Sequence, residues 1–157
     1  MTRQTAAEIL SRLIQFDTVS HRSNLDLLEW VEAYLAGFGV TSRRIYDETG
    51  EKANLIATIG NPQVPGYILS GHVDVVPVEG QDWSFDPFGG DIRDGQVLGR
   101  GASDMKGFVA CVLAAVPDMV AQPLAMPLHL VFSHDEEVGC IGVRSAVADI
   151  ANWPVQP

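Results

Sequence analysis

Cysteine, basic side chains and long apolar runs are all scarce in this sequence, and each scarcity excludes a class of protein. Only 2 of its 157 residues are cysteine. Cys111 and Cys140 lie far apart and form no Cys-x-x-Cys pair, so no disulfide framework is available, and two unpaired thiols suit a reducing compartment. Lys and Arg total 10 against 20 Asp and Glu, a net charge of -10, which argues against nucleic acid or an anionic membrane as the main partner. No apolar stretch approaches the ~20 residues of a membrane span. The segment Met1 to Glu8 has no signal-peptide core, so the chain reads as cytoplasmic. Internal repeats and low-complexity segments are absent too. What is present is a 46% hydrophobic content, enough for a real core in a length that fits one domain. The acidic balance suits a site that collects cations.

Thr5-Ala6-Ala7-Glu8 matches a capping box, and Ile9, Leu10, Leu13 and Ile14 follow at helical spacing, which predicts a helix to about Phe16. A polar turn, Asp17 to Ser23, leads to a second helix from about Asn24 with Leu27, Leu28, Val31, Leu35 and Phe38 on one stripe. Gly39 closes it in the C′ role. Strands are predicted over 40–46, 54–59 and 67–76, with Gly60-Asn61-Pro62 and Pro65-Gly66 as breakers between the last two. The long loop 78–90 is pinned to the core by Trp83, Phe85 and Phe88. A short hairpin turns at Asp94-Gly95. Residues 105–120 form a buried helix, ended or kinked at Pro117. Leu128 to Phe132 is an apolar strand, and a helix runs from about Gly142 to Ile150.

Strand 67–76, helix 105–120 and strand 128–132 read as a βαβ crossover with parallel strands, an α/β fold. Sites in such sheets lie outside the carboxyl ends of the strands. His72 and Asp74 stand at one such end. As i and i+2 of a strand they share a face, so Asp74 orients the His72 ring as the partner of a metal ligand. Asp104 precedes the helix that leaves this edge, and Glu136-Glu137 follow the next strand. Three distant segments thus each bring a metal-type ligand to one edge. A central carboxylate can bridge two cations, and Asp104 is the candidate. Imidazole and carboxylate are ligands that zinc accepts. Of the two adjacent acids one can bind metal while the other, turned to a different side by alternation, stays free as a general base. Two metals ~3.5–4 Å apart acidify water and polarise a carbonyl, so the reaction class is hydrolysis of an amide or related bond. A nucleotide-loop reading of Gly99-x-Gly101 fails, because no Gly-Lys-Ser/Thr follows and Asp104 repels phosphate at the helix start.

His72-x-Asp74, Asp104 in Gly-Arg-Gly-Ala-Ser-Asp-Met-Lys-Gly, and Glu136-Glu137 together resemble the di-zinc aminoacylase, deacylase and carboxypeptidase family, peptidase family M20. The resemblance covers residues from about 5 to about 150. Segments 70–78, 83–87 and 135–143 resemble the branch that deacetylates N²-acetyl-L-ornithine. The resemblance implies a three-layer α/β/α zinc-peptidase-like catalytic domain with a mostly parallel central sheet. It makes His72 a ligand of one zinc, Asp104 the bridge, Glu137 a ligand of the other zinc, and Glu136 the base. Cobalt is the expected substitute metal. The implied substrate is a small N-acylated amino acid, and the implied full-length form is a homodimer. His134 stands where this family leads us to expect an aromatic residue such as Tyr, while His129 and His21 read as structural and solvated residues. Family members run to well over twice this length and supply a further acidic ligand, a lid or dimerisation domain and a late His. On that reading residues 1–157 are the N-terminal portion of the catalytic domain, each zinc keeps two protein ligands, and the isolated chain is inactive. A truncated non-catalytic metal-binding remnant, a succinyl-diaminopimelate desuccinylase and a dipeptidase or carboxypeptidase of the same family are the alternatives.

Overall fold

The computed structural model describes residues 3–154. Helix α1 (Ala6–Ile14) opens on the capping box, with the Thr5 hydroxyl accepting from the Glu8 amide and the Glu8 carboxylate accepting from the Thr5 amide. Helix α2 (Leu25–Ala36) tightens through Gly37 and Phe38 and then closes. The Gly39 amide donates to Ala36 and the Val40 amide to Leu35, with Gly39 at φ +76°. That is a Schellman closure, and it needs the left-handed backbone that glycine adopts freely.

Strands β1 (Ser42–Tyr46), β2 (Ala53–Ile59), β3 (Tyr67–His72) and β6 (Leu128–Ser133) form one sheet in the order β1-β2-β6-β3. The β3–β6 pair is parallel and the other two pairs are antiparallel, so the sheet is mixed while the α/β class stands. Between β3 and helix α3 (Lys106–Val120) lies a two-residue hairpin, β4 (Ile92–Arg93) and β5 (Gln96–Val97). Asp94 and Gly95 turn it with φ of 50° and 76°, the double positive φ of a type I′ turn. Helix α4 (Arg144–Ile150) follows β6.

Alternation along β2 and β6 divides the sheet into two faces. Leu55, Ala57, Leu130 and Phe132 join α1, α2 and α3 in one core. On the opposite face Asn54 donates to the Gly142 carbonyl and to Ser145 at the start of α4, and His129 stacks on Trp153 at 4.4 Å. His129 also pairs with Thr58, which makes it a structural residue.

Two expectations change. Strand β3 ends at His72, short of the predicted Val76, because the chain leaves β6 there and pairs instead with the α1–α2 connection, the Val75 amide donating to Thr18. Of the two outcomes expected at Pro117, an end or a kink, the end does not occur, and α3 runs on to Val120. Proline deprives the carbonyl four residues back of its donor, and that carbonyl, Leu113, accepts from the Tyr34 hydroxyl at 3.1 Å.

Candidate metal centre

Parallel pairing in register sets His72 beside Ser133, so both strands finish at one edge. The chain after β6 turns there at once. Asp135 takes φ +54°, and the Cys140 and Ile141 amides close back on the Glu136 and Asp135 carbonyls. Asp104 reaches the same edge from the turn before α3. Gly101 begins that turn at φ +80°, where an added Cβ would lie 2.5 Å from Val75 Cγ1, so the residue type is dictated by space as well as by φ. The Asp104–Met105 peptide is cis.

The donors converge on the imidazole. His72 is buried, and its Nδ1–H donates to the Asp74 main-chain carbonyl at 3.0 Å. Nε2 faces Asp104 Oδ1 at 3.1 Å and Glu136 Oε2 at 3.6 Å. Ligand atoms of His72, Glu136 and Glu137 lie within 4.8 Å of one another. Asp74 is buried as well. Its carboxylate accepts from the Glu136 amide at 3.1 Å, the Glu137 amide at 3.3 Å and the Ser20 hydroxyl at 2.7 Å.

These contacts refine the sequence reading at two points. Asp74 lies beyond the strand, and it orients His72 through its main-chain carbonyl, with the nearer carboxylate oxygen 3.5 Å from Nδ1. Glu136 and Glu137 are not turned to different sides. They sit in a turn rather than a strand, so alternation does not apply, and both carboxylates face His72.

The electrostatics suit a cation. Burial pulls the His72 pKa down, but the Asp74 and Asp104 groups outweigh it and raise it to about 9. Burial pushes Asp74 up, and His72, Ser20 and the two glutamate amides prevail, holding it below the usual carboxylate range. Glu137 is raised, by burial first and then by the neighbouring Asp104 carboxylate. An imidazole nitrogen and several mutually repelling carboxylate oxygens, with the ring held in the Nδ1–H tautomer, form a donor set that fits a divalent cation. His72, Asp104, Glu136 and Glu137 are the residues able to hold it.

Three supporting residues escaped the sequence reading. Ser20 belonged to a segment read as a polar turn. Lys52, which joins Asp135 at 2.7 Å, gave no signal in the sequence. Lys106 is fully buried inside a helix read as apolar. Its Nζ donates to the Leu13 and Phe16 carbonyls at 3.0 and 2.7 Å, at the negative end of α1. Burial lowers its pKa to about 7 against the opposing pull of Asp17 and Asp74. A lone cation opening an apolar helix was the available clue. His134 is buried beside the site, with Nδ1 3.1 Å from Asp135 Oδ2 and Nε2 without a hydrogen-bond partner among the described residues.

Comparison with known proteins agrees with this geometry. A family model described as Peptidase family M20/M25/M40 matches residues 68–156. The acetylornithine deacetylase of Pasteurella multocida is 35% identical over 147 residues, covering 89% of this chain and 38% of that protein. The succinyl-diaminopimelate desuccinylase of Rhodospirillum centenum is 39% identical over 128 residues, covering 78% and 33% respectively. The chain therefore spans well under half the length of these relatives. The M20 family metallo-carboxypeptidase Sso-CP2 of Sulfolobus solfataricus shares the fold, with a TM-score of 0.81 at 20% identity over 95% of this chain and 35% of that one. Since the matched span runs over every donor of the cluster, from His72 to Glu137, the chain belongs to peptidase family M20/M25/M40.

Proposed function

We propose that these residues form the N-terminal portion of the catalytic domain of a zinc-dependent amide hydrolase that converts N²-acetyl-L-ornithine and water to L-ornithine and acetate. The observation that carries the metal-dependent hydrolysis is the meeting of His72, Asp104, Glu136 and Glu137 at one sheet edge. The substrate rests on the likeness to the Pasteurella multocida deacetylase. His72, Asp104 and Glu137 would hold zinc, or cobalt in its place. A bound divalent cation supplies Lewis-acid polarisation of the amide carbonyl and acidifies water.

The chain's own residues do the rest. Asp74 fixes the imidazole tautomer through its carbonyl and holds the glutamate turn through its carboxylate. Glu136 accepts the proton of the attacking water and returns it to the amine nitrogen as the C–N bond breaks. Further ligands and the substrate-gripping residues come from the part of the relatives' length that these residues do not span, a reading supported by Asp104, whose side chain is 77% exposed. Two free, exposed cysteines support a reducing, cytoplasmic setting. Among the described residues no helix is long and apolar enough to cross a membrane.

The Rhodospirillum centenum relative favours a second substrate, N-succinyl-diaminopimelate. Kinetics of a polypeptide carrying these residues at the relatives' length, loaded with zinc, separate the two. Faster hydrolysis of N²-acetyl-L-ornithine is expected, and a preference for the succinyl substrate transfers the assignment.

A further inference from the structure

The connection between α1 and α2 runs against the chain that leaves β3. The Val75 amide donates to Thr18, the Ser20 amide donates back to Val75, each at 3.1 Å, and the Thr18 hydroxyl donates to Val73 at 2.6 Å. These bonds seat the Ser20 hydroxyl 2.7 Å from Asp74 Oδ2, with both residues buried. The Ser20 carbonyl accepts from Lys52 Nζ, whose second partner is the Asp135 carboxylate. One residue is therefore fastened to both sides of the glutamate turn, at Asp74 and, through Lys52, at Asp135.

A hydroxyl has one proton to give, and the Val75 carbonyl, 3.4 Å away, is the poorer acceptor. The proton goes to Asp74. The two oxygens of that carboxylate are thereby distinguished. Oδ2 takes Ser20 and the Glu137 amide, while Oδ1 takes the Glu136 amide and stays 3.5 Å from His72 Nδ1. Without the hydroxyl the buried carboxylate loses its shortest bond. It is then free to rotate toward the imidazole, at the expense of both amides.

We infer that Ser20 is a positioning residue of the metal centre, its hydroxyl fixing the Asp74 carboxylate in the orientation that holds the Glu136–Glu137 turn against His72. The inference rests on the metal-centre reading above for its effect on the metal, and on hydrogen bonds alone for its effect on the turn.

Two readouts on a polypeptide that carries these residues at the relatives' length test it. In the metal-free protein, Ser20→Ala should speed hydrogen exchange of the Glu136 and Glu137 amides relative to the β2 and β6 amides. In a Co²⁺ titration followed by absorption, the same variant should bind about tenfold or more weakly, the loss typical when a partner behind a ligand is removed. Ser20→Thr, which keeps the hydroxyl, should restore both. Ser20→Ala with exchange and Co²⁺ affinity within about twofold of wild type overturns the inference, and so does a uniform rise in exchange across the sheet. Wild-type protein that takes up no Co²⁺ while the exchange effect persists overturns the metal reading instead, and leaves Ser20 as the residue that positions the turn.

Discussion

The Tyr34 hydroxyl donates to the Leu113 carbonyl at 3.1 Å, the one acceptor that Pro117 strips of its helical amide. Both partners are buried, so removing the donor leaves a carbonyl with no access to water. Tyr34→Phe should cost about 1–3 kcal/mol, read from urea denaturation. In a Pro117→Ala background the new amide can serve Leu113, so the same substitution should cost less. Equal costs in the two backgrounds would show that the hydroxyl is not compensating for the proline.

That pairing also marks how far the sequence could be read. The capping box at Thr5 and Glu8, the closure at Gly39, the turn at Asp94-Gly95 and the β3–α3–β6 crossover are local patterns, set by neighbours within a few residues or by the period of one element. Each was legible. His72, Asp104 and the glutamate pair were legible as well, since a parallel crossover sends the ends of its strands to one edge whatever the side chains are. Tyr34, Ser20, Lys52 and Lys106 were not. Their partners lie between 32 and 93 positions away, and no periodicity encodes a contact of that range. The side on which Glu136 falls depended on whether its segment is strand or turn. Asp135, a non-glycine residue at positive φ, gives no warning of the turn in a single sequence.

Two buried groups should pull the stability of the metal-free chain in opposite directions with pH. The folded pKa of His72 is raised from 6.5 to about 9, so its contribution is complete below 6.5 and is lost as pH rises through 9. Lys106 is lowered from 10.5 to about 7. Its contribution is complete above 10.5 and is lost as pH falls through 7. Between pH 7 and 9 the two slopes offset each other. His72→Gln should therefore gain stability relative to wild type as pH climbs over that range, and Lys106→Met should lose it. Denaturation midpoints at several pH values check the signs, and parallel curves for all three proteins would refute both assignments.

Glu136 and Asp104 should fail in different ways. In a polypeptide of the relatives' length, Glu136→Gln is expected to keep its metal and lose turnover by ~10²–10⁴-fold, the usual effect of removing a general base. Asp104→Ala is expected to lower the bound metal at both positions, since on the proposed reading its carboxylate would serve both. Metal analysis beside the rate assay distinguishes them. Near-normal turnover by the glutamine variant removes Glu136 from the reaction, and two equivalents of metal on the alanine variant remove Asp104 from the bridge.

The 157-residue chain on its own should bind metal weakly and hydrolyse N²-acetyl-L-ornithine negligibly. A catalytic zinc normally takes three protein ligands and keeps one open position. With Glu136 free as base, the described donors are His72, Asp104 and Glu137, which is too few for two ions at the spacing that joint water activation needs. Asp104 lacks cover on its outer side, so solvent competes for the carboxylate that would bridge. The sheet points the same way. Strand β3 lies at its edge, and Tyr67 and Ile68 are 55% and 36% exposed there, an open row of backbone groups flanked by apolar side chains that invites association. The measurement is a rate assay on this chain and on one extended to the relatives' length, both loaded with zinc, alongside light scattering. The extended protein is expected to turn over and to stay monodisperse at concentrations where the short chain associates. Comparable turnover by the short chain would mean that the donors already described, or His134 beside them, complete the site.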